Sequence, residues 1–316
     1  MSHPSYYPES DLRRSTIIHQ LAPLATRPVR VEAARDITFG RLLLHLFLLA
    51  LTALTTTGLS TLLFYNGELS SLGSSVLFSF TLLSILGAHE MGHYIACRWY
   101  GVRATLPYFI PAPIGIGTFG AFIKIKSPIP SRRALFDIGI AGPLAGFVFA
   151  IPAAIIAHYY AASAPPAAPA EGAIIFHNPL LFQFLEWAFR LPAWIELNPV
   201  WFASWVGLLM TSLNLLPVGQ LDGGHVVYAV CGARIHAILA RVIYFGVLVL
   251  AGFAILREGW LGWVVYAVLL TFILRVGHPP VLDEEEPLGT ARRFVAVIGL
   301  IVFILCFMPV PISIIS

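Results

Sequence analysis

Long apolar runs broken by short polar stretches set the pattern of this chain. The runs cover Leu42 to about Phe64, Val76 to Tyr100, Ala134 to Tyr160, a stretch from near Val200, Ile235 to Leu256, Trp260 to Leu274 and Phe294 to Val310. Most are long enough for a helix rising about 1.5 Å per residue to cross a hydrocarbon core of ~30 Å. The pattern predicts an all-α polytopic membrane protein with about seven transmembrane helices.

Two interruptions are more than connections. Over residues 104–126, Pro107, Pro111 and Pro113 break any helix, Gly115, Gly117 and Gly120 follow, and Thr118 to Lys126 is rich in β-branched and aromatic residues. This predicts a membrane-associated β-hairpin or looped strand, because irregular backbone at membrane depth survives only against protein or a wet cavity. Residues 161–199 are Ala/Pro-rich and then mildly amphipathic, and are expected to form an external linker with an interfacial helix around Leu180 to Phe189. The chain then divides into a tail (1–40), a first helix with an external loop (41–73), a membrane core (74–235) and C-terminal helices (236–316). The core comprises the helix at 76–100, the hairpin, a helix at 134–160, the linker and a helix at 200–232.

Composition agrees. Hydrophobic residues make up 58% of the 316 positions and charged residues 11%, with a mean hydropathy of +0.83, which excludes an ordinary soluble enzyme. The net charge of +3 reflects basic residues spread along the chain, with no basic and aromatic interleaving of the kind that binds nucleic acid. Residues 1–40 mix Arg13, Arg14 and Arg27 with Glu9, Asp11 and Glu32. With no apolar core and cleavage site they read as a cytoplasmic tail. On seven spans with that tail inside, 17 of the 19 Lys and Arg lie in or beside cytoplasmic segments, leaving Arg190 and Arg257 outside, as the positive-inside rule requires. Cys97, Cys231 and Cys306 lack metal or disulfide spacing and read as packing residues.

The chemistry sits in the second run. His89-Glu90-Met91-Gly92-His93 is a HExxH pattern: on a helix the two imidazoles share a face and suit one zinc ion, with Glu90 beside it as acid/base. Ionisable groups at such depth mark a functional site by default. A catalytic zinc usually takes a third protein ligand. Asp222, in a stretch broken by Pro217 and glycines, is preferred, and His225 is a competing donor. Asn214 is placed to face the same cavity. Asp137 is expected to favour a helix N-terminus, His45 to bond a neighbour, Gly139, Gly142 and Gly146 to admit another helix closely, and Asp283 to Glu286 to form a solvated loop.

At this point the sequence resembles the site-2 protease family of intramembrane zinc metalloproteases. The residues carrying the resemblance are the HExxH at 89–93, Gly142-Pro143-Leu144-Ala145-Gly146, and Asn214-Leu215-Leu216-Pro217 leading to Leu221-Asp222-Gly223-Gly224, over roughly residues 75–235. The resemblance implies that His89, His93 and Asp222 bind one zinc ion, that Glu90 is the catalytic acid/base and that Asn214 helps hold substrate or the oxyanion. It implies a transmembrane protein substrate cut within the bilayer, in regulated proteolysis. Gly219-Gln220 stands where the family often has a second proline, and residues 161–199 are too short for the PDZ domain many bacterial members carry, so a compact type without a PDZ domain is expected. The resemblance points to a prokaryotic cell membrane, and the distribution of Lys and Arg is expected to place the site towards the cytoplasm. A metal transporter or sensor using the same ligands, or a catalytically silent scaffold, are the competing readings.

Overall fold

In the computed structural model the described residues are 38–65, 67–161, 174–191, 198–258, 261–276 and 281–314. The expected cytoplasmic tail lies outside them up to residue 37, as do residues 162–173 and 192–197 of the expected linker.

Among the described residues the helices are α1 (Phe39–Tyr65), α2 (Leu72–Trp99), α3 (Arg132–Ala161), α4 (Leu180–Phe189), α5 (Pro199–Asn214), α6 (Asp222–Glu258), α7 (Gly262–Val276) and α8 (Thr290–Cys306). By length and composition four of these can cross a membrane: Phe39–Leu62, Leu72–Trp99, Arg132–Ala161 and Asp222–Arg257. The 16, 15 and 17 residues of α5, α7 and α8 reach only about 22 to 26 Å. The seven expected spans therefore reduce to four by this measure.

Residues 200–232, grouped as one helical unit with a break expected at Pro217 and the glycines, form two separate helices. Pro217 lacks an N–H and Gly219 has φ 54°, so α5 stops at Asn214 and α6 starts afresh at Asp222. α6 also contains Gly232 at φ 84°, ψ 169°, a break separating a short first segment from a long second one. The expected division between residues 235 and 236 thus falls inside α6, just after this break.

α5 is apolar all round, as a helix surrounded by others should be, and Val200 to Leu208 are all buried. Asn198 caps it, accepting from Trp201 N at 2.8 Å with Pro199 next in the chain. The principal core joins Phe78, Leu82 and Ile85 of α2, Leu135 and Phe136 of α3, and Trp201, Trp205 and Leu208 of α5. Gly207 admits Ile85, whose Cγ2 would lie 2.8 Å from a Cβ there. A smaller cluster, with Ala240, Val247, Trp263 and Leu270, joins the second segment of α6 to α7.

The expected hairpin forms. β1 (Tyr108–Pro111) and β2 (Thr118–Phe122) are antiparallel, Tyr108 opposite Phe122 and Phe109 opposite Ala121, and a bridge between Ala104 and Ile125 extends the ribbon. α1 holds its tip: Gly117, at φ 88°, lies where a Cβ would overlap the Thr55–Thr56 backbone, and Thr55 Oγ1 donates to its carbonyl at 2.7 Å. At the other end His45 Nδ1 lies 3.0 Å from the Pro107 carbonyl and its ring is 4.2 Å from that of Tyr108, which bears out the neighbour-bonded expectation.

A second sheet, β3 (Ile174–Phe176) against β4 (Ile312–Ile314), was not expected; three-residue strands so distant in sequence have no local signature. Two further expectations are corrected. Asp137 is the sixth residue of α3, not a cap, and pairs with Arg292 of α8 at 2.7 Å while accepting from Tyr100. The acidic stretch is a loop with Asp283, Glu284 and Glu285 exposed, as expected, although Glu286 pairs with Arg133 at 2.9 Å and Tyr228 donates to Glu284 at 2.6 Å. Cys97 and Cys306 are buried as packing residues, but Cys231 is exposed beside the Gly232 break.

Candidate metal centre

α2 carries His89, Glu90 and His93, all buried, in its last third. A Schellman-type closure ends the helix: Gly101 N bonds Arg98 O, and Val102 N bonds Cys97 O at 2.8 Å. The one-turn spacing puts both imidazoles towards α3, whose Gly139, Gly142 and Gly146 leave a trough. A Cβ at Gly142 would overlap the His93 ring, one at Gly146 would crowd His89 at 3.2 Å, and one at Gly139 would lie 2.8 Å from His225 Cβ. The glycines read as helix-contact residues are thus also the seat of the two rings. Gly92 serves from the other side, since a Cβ there would overlap the Ala141 backbone.

Asp222 arrives as the first residue of α6, where a carboxylate is favoured by the helix dipole. The following glycines let the turn fold back on itself: a Cβ at Gly223 would overlap the Leu215 carbonyl and one at Gly224 that of Gly219. His89 Nε2 lies 3.1 Å from Asp222 Oδ2, His93 Nε2 lies 3.3 Å from Asp222 Oδ1, and the two Nε2 atoms are 3.2 Å apart. His93 Nδ1 is 2.7 Å from the Ile138 carbonyl. With that N–H donating, a neutral His93 turns a lone pair towards Asp222. Nitrogen and carboxylate lone pairs converging on one point call for a cation.

All three donors lie within 4.8 Å of one another. Bonds of about 2.0 to 2.2 Å in a tetrahedron require donor separations of about 3.3 to 3.6 Å, so the residues fit zinc after small adjustment. His225 lines the same cavity but is outside this trio.

Asn214, at the last position of α5, brings its amide nitrogen 3.3 Å from His89 Nε2. The carbonyl next to it in the chain has a contact that sequence reasoning missed. Pro217 cannot donate to the Leu213 carbonyl, which accepts instead from Leu216 N at 3.4 Å and from the Tyr266 hydroxyl of α7 at 2.8 Å. The Pro217 signal announced the missing helical bond without naming Tyr266. The ribbon closes the cavity, of about 660 Å³, with Ala121 to Ile125 lining it, and the backbone at Ile123 is hydrogen-bonded to Glu90. The structure thus brings together every residue singled out for the site, and adds Ile138 and Tyr266.

Residues 77–256, more than half of the chain, match the sequence model of peptidase family M50. The chain belongs to peptidase family M50. The M50 assignment agrees with the resemblance drawn above and, with the four long apolar helices, makes this an integral membrane protein. Among curated relatives, the protein of Arabidopsis thaliana named probable zinc metalloprotease EGY1, chloroplastic, is 31% identical over 242 residues, covering 73% of this chain and 42% of that protein. Probable zinc metalloprotease EGY2, chloroplastic, of the same plant is 30% identical over 212 residues, 64% of this chain and 35% of that one. The chain thus spans about two-fifths of the length of these relatives. Their chloroplastic names lend no support to a prokaryotic membrane. Among solved structures, the site-2 protease from Methanocaldococcus jannaschii is similar with a TM-score of 0.40 at 18% identity, covering 77% of this chain and 93% of that one.

Proposed function

We propose that this M50 chain is a zinc-dependent intramembrane endopeptidase that cuts a transmembrane segment of a membrane protein substrate, in regulated proteolysis. One observation carries the reading: Glu90, a residue a metal carrier does not need, is buried in the same cavity as the trio His89, His93 and Asp222.

On this reading His89, His93 and Asp222 hold the zinc, which when bound supplies a water nucleophile at neutral pH and polarises the scissile carbonyl. Glu90 takes the proton from the attacking water and returns it to the leaving amine. The Asn214 amide donates to the oxyanion as charge develops there. Ile138 fixes the His93 tautomer through Nδ1, the support that metal-ligating histidines ordinarily have. The open edge of the ribbon receives the substrate as an added strand, because a peptide group in an intact helix is shielded and must first unwind. Residues 74–235 form the catalytic membrane core and residues 236–316 the C-terminal helices, with the boundary just after the Gly232 break. The distribution of Lys and Arg supports a cytoplasmic N-terminus with the site towards that side.

The test is incubation of purified protein and its Glu90→Gln variant with a panel of membrane-segment peptides, zinc being measured in parallel. The variant is expected to keep zinc and lose cleavage. Cleavage retained by the variant sinks this mechanism; zinc flux in wild-type vesicles without proteolysis favours the transporter.

A further inference from the structure

We infer that the exposed face of the hairpin ribbon selects substrates by charge, with Lys124 and Lys126 taking acidic side chains of the substrate stretch beside the cut. This deepens the proteolytic reading and rests on it.

The ribbon's hydrogen bonds decide which way its residues face. Thr105 N donates to Lys124 O at 3.0 Å, Lys124 N to Thr105 Oγ1 at 2.9 Å, and Lys126 N to Arg103 O at 2.7 Å. Residues 124 and 126 thus spend their backbone groups on the inner partner. By antiparallel alternation Ile123 and Ile125 turn theirs to the open edge, where Ile123 meets Glu90. Side chains alternate as well: Phe122, Lys124 and Lys126 are exposed, whereas Ala121, Ile123 and Ile125 are partly covered.

A strand added to the open edge sets every second side chain beside this exposed row. In such pairs opposite charges attract and like charges repel. Arg103, across from Lys126, is exposed too, and among the described residues Arg103, Lys124 and Lys126 take part in no ion pair. Lys124 is also the one lysine or arginine among the described residues lining the cavity that holds Glu90 and the trio. Membrane segments commonly carry Lys and Arg at their cytoplasmic ends, so a basic row here turns most of them away as well as attracting an acidic few. Lysines at a membrane surface also attract anionic lipid, but the position of Lys124 at the site cavity, with Lys126 next on the same exposed row, favours the substrate.

The experiment uses two transmembrane peptides identical except for Asp or Lys at alternate positions beside the cut, with separate pairs for either side of it. Each is cleaved by wild type, by Lys124→Gln and by the double variant Lys124→Glu, Lys126→Glu, in neutral-lipid vesicles with and without an anionic phospholipid. For one side of the cut, wild type is expected to favour the Asp peptide about tenfold in kcat/KM, the single variant to lose most of that preference and the double variant to invert it. Equal cutting of both peptides by wild type, or a ratio unmoved by the variants, overturns the inference alone. A loss equal on both peptides and confined to anionic vesicles assigns the lysines to lipid and overturns it too. If wild type cuts no peptide and matches Glu90→Gln, the proteolytic reading falls and takes this inference with it.

Discussion

Gly142 of α3 lies so close under the His93 imidazole that a Cβ at that position would overlap Nε2, the atom that faces the Asp222 carboxylate. The ring cannot retreat freely, because its Nδ1 is held 2.7 Å from the Ile138 carbonyl on the same helix as Gly142. Gly142→Ala is therefore expected to lower bound zinc at least tenfold and to cost about 1 to 3 kcal/mol of stability by overpacking. Gly246→Ala, on α6 with nothing within 4 Å of its Cβ position, is the control, expected to leave zinc unchanged. Metal analysis of both purified variants decides the matter.

Asp222→Ala is expected to lose most of the bound zinc, whereas His225→Ala, outside the donor trio, loses little. Zinc titration against a competing chelator measures the two affinities. The reverse ranking would make His225 the third ligand.

Tyr266→Phe removes the hydroxyl that supports the Leu213 carbonyl beside Asn214. A buried hydrogen bond of this kind contributes about 0.5 to 1.5 kcal/mol, so a modest fall in thermal stability is expected. If the bond positions Asn214 for the oxyanion, kcat falls severalfold while KM and zinc content stay near wild type. A change in stability alone would leave Tyr266 a packing residue.

Ile125→Pro removes a donor from the open edge of the ribbon while leaving the inner bonds of Lys124 and Lys126 in place. Cleavage of a helical substrate is expected to drop about tenfold or more, zinc being retained, and a substrate weakened by Gly or Pro near the cut should suffer less. Equal rates for wild type and variant on the helical substrate would refute strand addition.

Residue order alone identified the HExxH and the long apolar runs, because a membrane demands continuous hydrophobicity and a helix fixes the spacing of His89 and His93. Pro107 to Gly120 likewise announced a hairpin, since proline and glycine act on the backbone wherever they stand. The third donor stayed open between Asp222 and His225, for the choice depends on where α6 begins, and Gly223 and Gly224 fit that start only by packing against Leu215 and Gly219. Tertiary structure also decided the fate of Asp137. Composition near a helix start suggested a cap, but Arg292, far along the chain, is the partner that holds its charge. Apolar length could not separate the four long helices from shorter ones such as that from Val200, because burial by neighbouring helices leaves the same hydrophobic sequence as burial by lipid.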